Sequence, residues 1–157
     1  AGFTETAGGT CTPSYQVSND GTNFIGNGYV EYSLSNIAEI KLSSDGQNII
    51  IRNNNPQQNT NSIKVYNLND GILSQKGQVL SDYTKILGIN SEGSRIAVTS
   101  SSTPEIAIFD LINNNWILNA ILTSNQASYG RLSDDGNTLI TITNSSSSIK
   151  YFSFNTT

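Results

Sequence analysis

The sequence predicts an all-β chain built from antiparallel meanders. Three observations predict it: a composition rich in small polar residues, a turn motif that recurs four times, and a strand block that recurs in step with it. Of 157 residues, 21 are Asn, 22 Ser and 15 Thr, while charged residues make up only 13%. Such residues favour turns and pleated strands over helix interiors. The Ala/Leu/Glu/Lys stretches of helical proteins are absent, and solubility rests on neutral polar groups.

The turn motif reads apolar, small polar, any residue, acid, Gly. Its copies are Val17-Ser18-Asn19-Asp20-Gly21, Leu42-Ser43-Ser44-Asp45-Gly46, Ile89-Asn90-Ser91-Glu92-Gly93 and Leu132-Ser133-Asp134-Asp135-Gly136. A β-rich run follows each Gly: Phe24-Ile25, Ile49 to Ile51, Ile96 to Val98, Leu139 to Ile142. This is strand, tight turn, strand. The acid accepts local backbone hydrogen bonds and Gly takes a positive φ.

The strand block runs Tyr29 to Leu34, Ile63 to Leu68, Ile106 to Leu111 and Ile149 to Phe154. Its aromatic falls at Tyr32, Tyr66, Phe109 and Phe152, and its fixed place in each copy predicts core packing rather than a stacking platform for a ligand. Asn27-Gly28 predicts a two-residue hairpin turn in the first copy, and Asn53 to Asn61 a long polar loop at the same place in the second. A fourth strand is expected only in the middle copies, over Ile72 to Leu80 and Trp116 to Leu122. In Ile63-Lys64-Val65-Tyr66-Asn67-Leu68 both faces carry apolar groups, so both faces of that strand should be covered by neighbouring sheets.

Units of about 43 residues with an apolar–Ser–x–Asp–Gly turn and an Ile-x-Val-Tyr-like strand resemble the blades of β-propeller repeat proteins, of the WD-repeat-like and FG-GAP-like kinds. The resemblance covers residues 14 to 157, in units of about 14–36, 37–80, 81–124 and 125–157. Residues 1–13 precede it as an extended N-terminal arm. The resemblance implies a propeller-like all-β fold; a β-sandwich or β-barrel made of the same hairpins is the alternative. It carries over no chemistry. Trp-Asp of the WD family is replaced by Tyr66-Asn67 and Phe109-Asp110, and there is no full Asp-x-Asp-x-Asp-Gly calcium loop. The strands number three, four, four and three, so the first and last units are incomplete.

The chain has no His and one Cys. That removes the commonest general base and metal ligand, an intrachain disulfide and any multi-cysteine zinc site. A pI near 4.5, with Lys and Arg scattered singly, argues against nucleic acid. No apolar run reaches the roughly 18 residues of a membrane helix. Ala1 followed by Gly2 suits a processed terminus and an expression boundary equally.

The carboxylates Asp20, Asp45, Glu92, Asp134 and Asp135 could ring one rim as a cation site, but closing their own turns is the simpler role. Asp134-Asp135-Gly136-Asn137 alone falls short of the 6–8 oxygens that calcium takes. An enzyme would need a carboxylate pair without His, such as Asp45 with Asp134 or Glu105 with Asp110, and no spacing selects either. No catalytic residue, metal or cofactor is predicted. Trp116 is a candidate glycan or protein contact, with a buried edge position as the competing role. Asn144 and Asn155 head glycosylation sequons, in no excess over chance. Phe3 and Cys11 are the candidate assembly residues of the arm.

These features predict a non-catalytic structural subunit of an extracellular or surface assembly. It would form a homo-oligomer or filament through strand edges and the arm. The alternative is a glycan- or protein-binding module.

Overall fold

The computed structural model describes residues 2–6, 10–14, 34–69, 72–100, 103–123, 127–143 and 148–154. The chain divides into two compact units, 1–34 and 35–157. No helix occurs among the described residues; the strands are antiparallel throughout.

In the first unit, β1 (Gly2–Thr6) pairs with β2 (Thr10–Ser14), Gly2 opposite Ser14 and Thr6 opposite Thr10. The arm was expected to lie as one extended segment on the edge of a blade. Its two halves pair with each other as β1 and β2. Both halves are Thr-rich, and a short closure costs little loop entropy. The first turn motif with Asp20 and Gly21, the Asn27-Gly28 turn and Tyr32 lie outside the described residues.

The second unit holds three meander sheets. The first contains β3 (Ile37–Leu42), β4 (Asn48–Asn55), β5 (Thr60–Asn69) and β6 (Ile72–Ser81). The second contains β7 (Tyr83–Ile89), β8 (Arg95–Ser100), β9 (Glu105–Ile112) and β10 (Asn115–Thr123). The third contains β11 (Ala127–Leu132), β12 (Thr138–Thr143) and β13 (Ser148–Ser153). The expected polar loop over Asn53 to Asn61 is mostly strand. β4 and β5 pair out to Asn55 and Thr60, and only four residues turn between them. A continued ladder satisfies these polar backbones better than an open loop.

The turn motif works as predicted at the two Ser-x-Asp-Gly copies among the described residues. Asp45 Oδ1 accepts from Ser43 Oγ at 2.5 Å and from the Gln47 amide at 2.9 Å, and Gly46 sits at φ 76°. Asp135 makes the same bonds with Ser133 and Asn137. The third copy differs. There Asn90 Oδ1 accepts from the amides of Ser94 and Arg95, and Glu92 reaches only the Ser94 hydroxyl at 3.4 Å. An amide two residues nearer the strand has taken over the acid's task.

Each sheet has a leading and a trailing face. In the first sheet Ile49 and Tyr66 pair on the leading face, and Ile50 and Val65 on the trailing face. The trailing face of the first sheet packs on the leading face of the second: Ile50, Ile63 and Val65 meet Ile89, Ile96, Val98 and Phe109. The trailing face of the second packs on the leading face of the third, where Ala97, Ile106 and Ile108 meet Leu132 and Leu139. The middle sheet is therefore covered on both sides, and each Ile so buried contributes about 1.5–3 kcal/mol. Among the repeated aromatics, Phe109 is buried and stacks edge-on against Tyr83 at 5.4 Å. Tyr66, expected to be buried, is half-buried, as is Phe152.

Candidate functional site

The first strands of the three sheets, β3, β7 and β11, lie side by side. A cleft of about 330 Å³ opens along them, lined by Lys41, Leu42, Ser44, Gly88, Arg131 and Asp134 among others. Lys41 lies opposite Ile50 in the ladder, so it shares the trailing face. Its ammonium donates to the carbonyl oxygens of Leu87 at 2.9 Å and Gly130 at 3.2 Å, one on each of the other two inner strands. Burial lowers its pKa below the ordinary lysine value; Glu39 pulls it up and Arg131 pushes it down again. Glu39 accepts from the Ile86 amide at 3.1 Å and from Arg52 at 3.5 Å. β7 and β11 touch at Gly88, where a Cβ would fall 2.5 Å from the Leu132 nitrogen.

A second cleft, about 360 Å³, lies between the turns of the second and third sheets, lined by Asn90, Glu92, Arg95, Asp110, Asp134 and Asp135 among others. All three guanidinium nitrogens of Arg95 donate there. Nε and Nη2 donate to Asp110, and Nη1 to the Gly136 carbonyl at 3.0 Å. Its guanidinium also stands 5.8 Å from the centre of the Phe154 ring. Asp110 accepts a further bond from Asn119. The bond from Arg95 holds its carboxyl below the usual range, against the opposing effect of burial.

Most of the carboxylates singled out in the sequence are thereby placed; Asp134 lines both clefts, and Asp20 lies outside the described residues. Asp45 and Asp135 are held in their own turns, Asp110 by Arg95, and Glu105 accepts from Thr103. Among the described residues no three Asp, Glu, Cys or His side chains converge on a metal position.

Trp116 is 3% exposed and belongs to the core between the first two sheets, so it is not presented to a ligand. Its indole donates to the Lys76 carbonyl at 3.0 Å and rests on Gly77. The Gln78 amide clamps its backbone from both sides, accepting from Trp116 N at 2.7 Å and donating to Trp116 O at 2.8 Å. Phe3 and Cys11 fall in β1 and β2, opposite Pro13 and Glu5, and their side chains lie outside the described residues. Asn144 and Asn155 also lie outside them.

Sequence reading missed Lys41, Glu39, Arg95 and Gln78. The signal for the first two is charge at alternate positions of an otherwise apolar strand. For Arg95 it is a guanidinium directly after a turn whose other copies carry Asn48 and Thr138.

No family model matches the chain, and no curated protein does. Solved structures do. A β-propeller domain of Cps50 (Swd1) from Myceliophteria thermophila superposes with a TM-score of 0.59 at 12% identity, over 76% of this chain and 40% of that one. Hydrazine synthase of Kuenenia stuttgartiensis gives 0.53 at 13% identity, over 79% and 47%. A functionally unknown protein from Desulfotomaculum acetoxidans gives 0.51 at 17% identity, over 93% and 62%. The chain thus spans less than half the length of the first two. Its sheets resemble β-propeller blades, and the likeness is one of fold alone.

Proposed function

We propose that this chain is a non-catalytic structural subunit of an extracellular or surface assembly, and that it associates with itself. One observation carries the reading: the trailing side of the third sheet bares Tyr129, Ile140, Ile142, Ile149 and Tyr151, each between 43% and 72% exposed. Contiguous apolar surface of this kind marks an interaction site. Strand edges add to it. Among the described residues β13 has β12 as its one neighbour, whereas β6 and β10 complete the other sheets. The β1–β2 hairpin offers edges of the same kind. The non-catalytic part rests on Asp45 and Asp135, which close their own turns, and on Asp110, which Arg95 holds. The surface location rests on the neutral, polar composition. Light scattering on the full chain should give a mass above the monomer, and deleting residues 1–14 should reduce it while circular dichroism keeps its β signal. A chain that stays monomeric at high concentration overturns the reading.

The cleft beside Lys41 and Arg131 favours a second reading, a module for a polar ligand such as a glycan. A glycan array returning one sugar class, with binding lost on Arg131→Ala, would support it. An array without hits would remove it.

A further inference from the structure

The repeat shows what covers the bare sheet. Four residues after the turn glycine stand Ile50, Ala97 and Ile140, each paired across the ladder with Val65, Ile108 and Tyr151 respectively. Ile63, Ile106 and Ile149 follow on the same trailing face. In the first sheet Ile50, Val65 and Ile63 are at most 1% exposed, and in the second Ala97, Ile108 and Ile106 likewise. In each case the leading face of the next sheet lies over them. In the third sheet the same positions, Ile140, Tyr151 and Ile149, are 46%, 65% and 72% exposed.

Among the described residues the first sheet mirrors this. The apolar residue that opens the turn motif lies on the leading face, where Ile89 is 7% and Leu132 2% exposed beneath the preceding sheet. Leu42, their counterpart in the first sheet, is 58% exposed, and so is Ile40 beside it on that face. Ile51 of the same face is buried, so the available surface centres on β3.

From this we infer that the trailing face of the third sheet docks on the β3 side of the first sheet of a second copy, head to tail, in the manner that the sheets already stack within one chain. The inference rests on the self-association proposed above and names its geometry. A head-to-tail contact either closes into a ring or runs on as a filament. Ring size favours two copies. Three blade-like sheets among the described residues of each chain make six, within the typical four to eight blades of a propeller, whereas a third copy would exceed it. Two copies so arranged share two identical interfaces, each joining one chain's tail to the other's head.

Two variants test this, Ile149→Lys with Tyr151→Lys at the tail and Ile40→Lys with Leu42→Lys at the head. All four positions are exposed, so β content by circular dichroism should not change. Sedimentation velocity should show the wild type as a dimer and each variant alone as a monomer. An equimolar mixture should recover a dimer, because it retains one intact tail-to-head interface, with affinity at least tenfold weaker than wild type. Disruption by the tail variant but not by the head variant means a tail-to-tail contact and overturns the inference. A wild type that assembles, with both variants assembling equally, also overturns it and leaves self-association through strand edges standing. A monomeric wild type overturns both.

Discussion

Arg95 holds Asp110 with two nitrogens, Nε to Oδ1 at 2.5 Å and Nη2 to Oδ2 at 2.9 Å, while its third nitrogen reaches the Gly136 carbonyl of the next sheet. One side chain thus fixes a cross-strand pair within the second sheet and the position of the turn in the third. The bidentate geometry places the fork where a carboxylate receives it best.

This pair sets an acid dependence. Asp110 has a folded-state pKa below its ordinary value of 3.8. Below that value the unfolded chain takes up the proton first, so stability is full above it and falls as pH drops through the lowered folded value. Urea unfolding followed from pH 6 to pH 2 should show the loss. Asp110→Asn should flatten the acid limb and cost about 1–2 kcal/mol at pH 6, a modest figure because the pair is partly solvated.

Two glycines at positive φ should respond differently to Ala. Gly77, at φ 68°, would place a Cβ 2.6 Å from the Trp116 indole. Gly46, at φ 76°, has nothing within 4 Å of that Cβ. Gly46→Ala should cost about 1–2 kcal/mol of backbone strain. Gly77→Ala adds a clash and should cost clearly more, with a changed tryptophan emission maximum as its sign. Equal costs would show that the indole is free to move.

Thr141 is fully buried, and its Oγ1 is the buried side-chain atom without a hydrogen-bond partner among the described residues. Five residues after the turn glycine, the other sheets carry Ile51 and Val98. Thr141→Val should raise stability by about 1 kcal/mol, since the methyl removes the desolvation cost of an unmade bond. A loss on substitution would reveal a partner for the hydroxyl.

Phe109 joins the first two sheets against Tyr83. Phe109→Ala should cost about 3–5 kcal/mol through lost burial and the cavity left behind. A cost below about 1 kcal/mol in two-state unfolding would contradict its core position.

The turns, the strands after them and the three- and four-strand meanders were legible in the sequence because their causes are local. Gly46 and Gly136 permit the positive φ, Asp45 and Asp135 accept the neighbouring amides, and alternation assigns the faces. The third turn was legible as a turn but not in its mechanism, since Asn90 and Glu92 both offer acceptors and only the folded geometry selects Asn90. The pairing of the arm with itself depended on a choice between two partners that its Thr alternation suits equally. Tertiary structure alone decided that Trp116 is enclosed by Gly77 and Gln78, 38 or more residues earlier, and that Lys41 reaches carbonyls 46 and 89 residues away. It also decided which apolar strand faces are covered. Ile50, Ala97 and Ile140 hold one position in the repeat, and a single sheet's sequence has no term for its neighbour. Burial there is set by whether another sheet follows, a long-range packing fact that local patterning does not encode.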